Sequence, residues 1–124
     1  MIHALVCDDY EPIASLIQVV LHNMGISVTT AGDGKQGLDL ARQLRPSLII
    51  SDVDMPGLNG IELFKALQKD TTGLALIPFI LMSSIDRKKA AREAGCSNFL
   101  VKPFSIDEVR HMVVKLLIEE KDFP

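Results

Sequence analysis

The sequence predicts one α/β domain in which five strands form a parallel sheet with helices on both faces. Three observations lead there. Short apolar runs alternate with amphipathic segments along the whole chain. Several runs are nearly continuous rather than alternating, which suits strands covered on both faces. The segments between them open on helix-capping residues, with no repeat, low-complexity stretch or linker. A length of 124 residues fits a single domain spanning 1–124. Five strand–helix units in succession imply right-handed crossovers.

The first strand is read at Ala4 to Cys7. Pro12 suits the opening of the first helix and Gly25 its end. Ile13, Leu16, Ile17, Val20, Leu21 and Met24 form its apolar face. The second strand, Ile26 to Ala31, mixes Ser and Thr with apolar residues and suits an edge. Asp33 with Gln36, Asn59 with Glu62, and Ser105 with Glu108 have capping-box spacing and start the second, third and fifth helices. The third, fourth and fifth strands are read at Leu48 to Ile50, Ile77 to Met82 and Phe99 to Val101. In the last helix Ile106, Val109, Val113, Leu116 and Leu117 share a face, while Val114 and Ile118 are expected to point outward as a partner surface.

Composition narrows the function. A net charge of −3 argues against direct nucleic-acid binding. Two cysteines, Cys7 and Cys96, suggest neither a disulfide framework nor a zinc site, and Cys7 reads as a buried thiol. The N-terminal apolar stretch is too short for a signal peptide, and the longest apolar run, near Ala75 to Met82, is far short of a membrane span. A soluble, cytoplasmic protein with no membrane partner is expected. His3, His22 and His111 lack metal-ligand spacing.

In parallel α/β sheets, ligands bind at the carboxyl ends of the strands. The first strand ends in Asp8-Asp9, the third in Asp52 and the fourth in Ser83, while the fifth runs into Lys102-Pro103. If the strands are neighbours, three carboxylates, a hydroxyl and an ammonium share one rim. Three carboxylates repel and raise one another's pKa. A hard cation such as Mg²⁺, which takes oxygen ligands and keeps several waters, relieves that repulsion. A carboxylate beside such a metal can act as a nucleophile and form an acyl phosphate. Lys and Ser can bind the phosphoryl oxygens. Phosphoryl transfer needs mainly positioning and charge neutralisation.

These residues resemble the response-regulator receiver domain of two-component signalling. The matching pieces are Leu5-Val6-Cys7-Asp8-Asp9, Ser51-Asp52-Val53-Asp54-Met55-Pro56-Gly57-Leu58-Asn59-Gly60, Ile80-Leu81-Met82-Ser83-Ser84, Ala94-Gly95 and Phe99-Leu100-Val101-Lys102-Pro103-Phe104, in the family's order. The resemblance implies a doubly wound, flavodoxin-like sheet ordered 2-1-3-4-5. It implies Asp52 as phosphoacceptor and Mg²⁺ (or Mn²⁺) as cofactor. Asp9 and Asp52 would hold the ion with the Asp54 main-chain carbonyl, and Asp8 mostly through water. Lys102, before a cis Pro103, would contact the phosphoryl group, Ser83 would close on it, and Phe99 would turn inward. The donor would be a histidine kinase or histidine phosphotransfer protein. The output surface would be the fourth helix, fifth strand and fifth helix, acting on an output partner or a fused effector domain, or through a phosphorylation-dependent dimer. Apart from catalysing its own phosphorylation and dephosphorylation, the domain would not be an enzyme. A stand-alone regulator and a receiver of a larger regulator or hybrid kinase both fit.

Other readings stand beside these. Alone, Asp8-Asp9 reads better as a strand end followed by a helix cap. Asp52-Val53-Asp54 resembles the nucleophile loop of haloacid-dehalogenase-type phosphatases, although there the pair follows the first strand. Ser83 could be an ordinary buried hydroxyl and Phe99 plain core. A pseudo-receiver would keep the fold solely for protein binding. Two departures from the family pattern affect the output side. The stretch from Ser83 to Ala94-Gly95 is nearly one helical turn short, so a short or shifted fourth helix is expected. A cap at Asp86 would be followed by Arg87, Lys88 and Lys89, which oppose the helix dipole, so a weakly set, solvated start is expected. Ser84 stands where receivers often have Ala. Asp54 and Ile85 stand at positions that tune dephosphorylation in the family.

Overall fold

The computed structural model describes residues 2–119. Strands β1 (His3–Cys7), β2 (Ser27–Ala31), β3 (Leu48–Asp52), β4 (Phe79–Ser83) and β5 (Phe99–Val101) form one sheet in the order β2-β1-β3-β4-β5. All four pairings are parallel. The helices are α1 (Glu11–Asn23), α2 (Gly34–Leu44), α3 (Gly60–Gln68), α4 (Lys88–Glu93) and α5 (Ile106–Val114). Lys115–Glu119 continue α5 as a π-helical turn.

Alternation along the strands divides the core in two. Ala4 and Val6, Leu48 and Ile50, Ile80 and Met82, and Leu100 pack with α1 and α5 on one face. Leu5 and Cys7, Ile49, and Phe79 and Leu81 pack with α2, α3 and α4 on the other. The central strands therefore need apolar residues at nearly every position, which explains their continuous runs. Edge strand β2 is less buried than β1 and β3, in keeping with its Ser and Thr.

Local chemistry sets the helix ends. Asn59 with Glu62, and Ser105 with Glu108, form complete capping boxes. Asp33 caps α2 through the Gln36 N–H at 2.7 Å. Helix α1 ends on Gly25 in the left-handed region (φ 80°). There the Gly25 N–H donates to the His22 carbonyl and the Ile26 N–H to that of Leu21, a Schellman pattern.

Four local expectations need correction. Ile26 belongs to the cap of α1, so β2 starts at Ser27. Ile77 closes a 3₁₀ turn over Leu74–Leu76, and Pro78 precedes the strand, so β4 starts at Phe79. Asp86 does not cap α4. It lies inside a 3₁₀ turn, Ile85–Arg87, and takes a hydrogen bond from the Ser84 hydroxyl. Arg87 therefore stands at the cap position of α4, with no side-chain cap bond among the described residues. At the other end of the domain, Ile118 is exposed, whereas Val114 is half-buried.

Helix α4 has six residues, of which Ala91 alone is buried. Few buried contacts and no capping side chain leave its start weakly held. Amide hydrogen exchange should find residues 85–89 less protected than the middle of α1; equal protection would contradict this. Gly60 sits where the chain returns under β3. Its N–H donates to the Val53 carbonyl at 2.8 Å, and a Cβ there would overlap the Asp52 carbonyl oxygen and lie 2.9 Å from its carbon. Gly60→Ala should destabilise the domain by about 2 kcal/mol, read by chemical denaturation; an unchanged midpoint would contradict the packing.

Candidate functional site

Strand pairing brings the chemistry together. Cys7 lies beside Ser51, Asp52 beside Met82, and Ser83 beside Val101. The residues that end β1, β3, β4 and β5 therefore emerge on one rim. Main-chain bonds hold these ends. The Asp8 N–H donates to Ala31 (3.0 Å), the Val53 N–H to Met82 (3.0 Å), and the Lys102 N–H to Ser83 (2.8 Å). The Lys102–Pro103 peptide is cis.

Asp8, Asp9 and Asp52 each offer a carboxylate oxygen, and the three lie within 4.8 Å of one another. Asp8 and Asp52 are buried, at 4% and 6% exposure, whereas Asp9 is exposed. Lys102 Nζ donates to Asp52 Oδ1 at 3.1 Å and lies 3.9 Å from Asp8 Oδ2. Asp8 Oδ1 accepts from the Tyr10 N–H at 2.9 Å. Its Oδ2 is buried and has no hydrogen-bond partner among the described residues.

These surroundings shift both acids. Burial pushes the Asp8 carboxyl above its ordinary value, the Tyr10 N–H opposes this, and the Asp52 charge adds to it. Burial also raises Asp52, against the pull of the Lys102 hydrogen bond. One ammonium does not offset the clustered carboxylates. The orphaned Asp8 oxygen and the all-oxygen donor set fit a hard divalent cation, which would satisfy both the geometry and the charge.

Ser83 is buried, and its hydroxyl is hydrogen-bonded to Asp54 rather than to Asp52. Its hydroxyl donates to Asp54 Oδ2 at 3.1 Å, and the other Asp54 oxygen accepts from Arg87 at 2.9 Å. Arg87 is therefore not simply a solvated residue of a basic helix start. The sequence offers Asp54 as a main-chain ligand and a position that tunes dephosphorylation, and Arg87 as part of a solvated helix start, with no link between the two. Nothing local links the two, since 33 residues separate them. Phe99 is half-buried at the start of β5, packed against the core beneath α3 and α4. Burial raises the Cys7 thiol pKa to about 12, which leaves it an inert core residue. His3 binds Thr29 Oγ1 at the opposite end of β1, and His22 and His111 are exposed.

The fold and this rim define a flavodoxin-like domain with an acidic site beside the switch point between β1 and β3. Residues 4–114 match the response regulator receiver domain, and the chain belongs to that family, the receiver domain of two-component systems. It is 32% identical to sporulation initiation phosphotransferase F of Bacillus subtilis, over 91% of each chain. It is also 32% identical to the probable transcriptional regulatory protein TcrX of Mycobacterium tuberculosis, covering 85% of this chain but 45% of that protein. The chain thus spans about half the length of TcrX. Among solved structures, the chemotaxis response regulator CheY4 of Vibrio cholerae superposes with a TM-score of 0.85 at 30% identity, covering 94% of this chain and 99% of that one. The receiver domain of the Francisella response regulator 1452 gives 0.85 at 35% identity, covering 97% and 99%. No helix among the described residues is long and apolar enough to cross a membrane.

Removing one buried charge tests the electrostatics. Asp8→Asn should raise the melting temperature in EDTA by roughly 4 °C, equivalent to about 1 kcal/mol for a domain this size. It should also weaken or abolish the stabilisation that Mg²⁺ or Mn²⁺ gives the unmodified protein. A lower melting temperature in EDTA with the cation response intact would contradict the account.

Proposed function

We propose that this domain accepts a phosphoryl group on Asp52 from a phosphohistidine of a histidine kinase or phosphotransfer protein, in a Mg²⁺-dependent reaction. The carrying observation is the Asp52 carboxylate, buried in the acidic cluster with Lys102 Nζ 3.1 Å away. An Asp52 oxygen attacks phosphorus, and the bond from phosphorus to the donor imidazole nitrogen breaks. The bonding pair stays with the imidazole, which takes up a proton, and an acyl phosphate remains on Asp52. Lys102 neutralises charge on the transferring group. Asp8, Asp9, Asp52 and the Asp54 main-chain carbonyl are the proposed holders of Mg²⁺ (or Mn²⁺), which when bound supplies further neutralisation of the phosphoryl oxygens.

The domain, taken as residues 1–124, acts as a cytoplasmic switch and not as a turnover enzyme. Added charge at Asp52 biases a two-state surface of α4, β5 and α5, with Ser83 and Phe99 as the moving side chains. Similarity to regulators about twice as long supports a fused effector as one output, and similarity to the phosphotransferase F supports a stand-alone role.

Intact-mass analysis after incubation with Mg²⁺ and acetyl phosphate, and with a phosphorylated histidine donor, tests this reading. The expected outcome is a Mg²⁺-dependent increment of one phosphoryl group, absent in Asp52→Asn. No adduct from any competent donor would leave a pseudo-receiver. Rapid multiple turnover of a small phosphate ester would mark a phosphatase.

A further inference from the structure

We propose that Asp54 is a positioning residue for Ser83. Its carboxylate engages the one proton the hydroxyl can donate and ties Ser83, through Arg87, to the turn that starts α4. The proposal rests on the reading of Asp52 as phosphoacceptor.

A serine hydroxyl has one proton to donate. Here Ser83 gives it to Asp54 Oδ2 at 3.1 Å. A phosphoryl group on Asp52 would offer that proton a competing acceptor, so Ser83 must leave Asp54 to bind it. Asp54 itself is anchored by the second bond, 2.9 Å from its Oδ1 to Arg87. Arg87 closes the Ile85–Arg87 turn, its N–H donating to the Ser84 carbonyl at 3.1 Å, and α4 begins at the next residue. One carboxylate therefore spans the switch hydroxyl and the first turn of the proposed output surface. Transfer of Ser83 to the phosphoryl group removes one of the two bonds Asp54 makes and loosens its hold on that turn.

The latch is weak by construction. The Asp54 and Arg87 side chains are 57% and 50% exposed, so solvent screens their pairing. It lowers the fraction of molecules with Ser83 free, and the apparent affinity for a phosphoryl group falls by that fraction.

The test is a double-mutant cycle read by beryllofluoride binding at saturating Mg²⁺, with the unmodified protein, Asp54→Ala, Ser83→Ala and the double variant. Asp54→Ala should tighten binding about three- to tenfold when Ser83 is present. It should have a clearly smaller effect when residue 83 is alanine. Asp54→Asn, which keeps an acceptor for Ser83 but loses the ion pair, should fall between. In nuclear magnetic resonance spectra, the amides of 85–87 in Asp54→Ala should lie closer to their beryllofluoride-bound positions before any is added. Equal tightening in both backgrounds would reduce Asp54 to a plain electrostatic effect and overturn the latch, as would unchanged or weaker binding in Asp54→Ala. Failure of the unmodified protein to bind beryllofluoride would instead sink the reading of Asp52.

Discussion

Two buried carboxylates, Asp8 and Asp52, share one ammonium, Lys102, and the third acid of the rim, Asp9, adds a further negative charge. This unbalanced charge shapes what the domain can do. Burial raises the pKa of both acids, and one oxygen of Asp8 lacks a hydrogen-bond partner among the described residues. A folded protein keeps such an arrangement at a cost to stability. A divalent cation relieves the cost, and so does a positive group brought close by a strand end. The acidic rim is thus where the proposed cation and, through it, the proposed phosphoryl group would gain their affinity.

The sheet makes the arrangement rigid. Asp8 and Asp9 follow β1 and Asp52 ends β3, both strands buried on both faces, and main-chain bonds between neighbouring strand ends fix where the side chains start. Close packing beneath the site, where α3 returns at Gly60, leaves no space for a side chain. The α4 side contrasts with this. It has a six-residue helix, an uncapped start and one buried residue. A rigid acidic rim beside a loosely held element is a combination that the proposed charge-driven switch would use.

Much of the architecture was legible because it depends on local rules. The apolar runs of β1, β3 and β4 report burial on both faces, and the capping boxes at Asn59 and Ser105 form as their spacing implies. Errors arose where two local signals competed. Ile26 looks like strand but is used by the Schellman end of α1, and Ile77 looks like strand but closes a turn before Pro78. Asp86 looks like a helix cap, yet a tighter turn beginning after Ser84 absorbs it. In each case a hydrogen bond two to five residues away overrides the competing local signal.

Sequence alone determined the fold class, the strand-end positions of Asp8, Asp9, Asp52, Ser83 and Lys102, and the kinship with receivers. These follow from residue type and order, because a parallel α/β chain places its strand ends on one side whatever the details. Tertiary structure decided which of those groups touch. Lys102 reaches Asp52, while Ser83 turns to Asp54 and Asp54 to Arg87. Contacts between residues 29 to 50 positions apart depend on strand register and on the path of the loops that follow β3 and β4, and neither leaves a periodic trace in the chain.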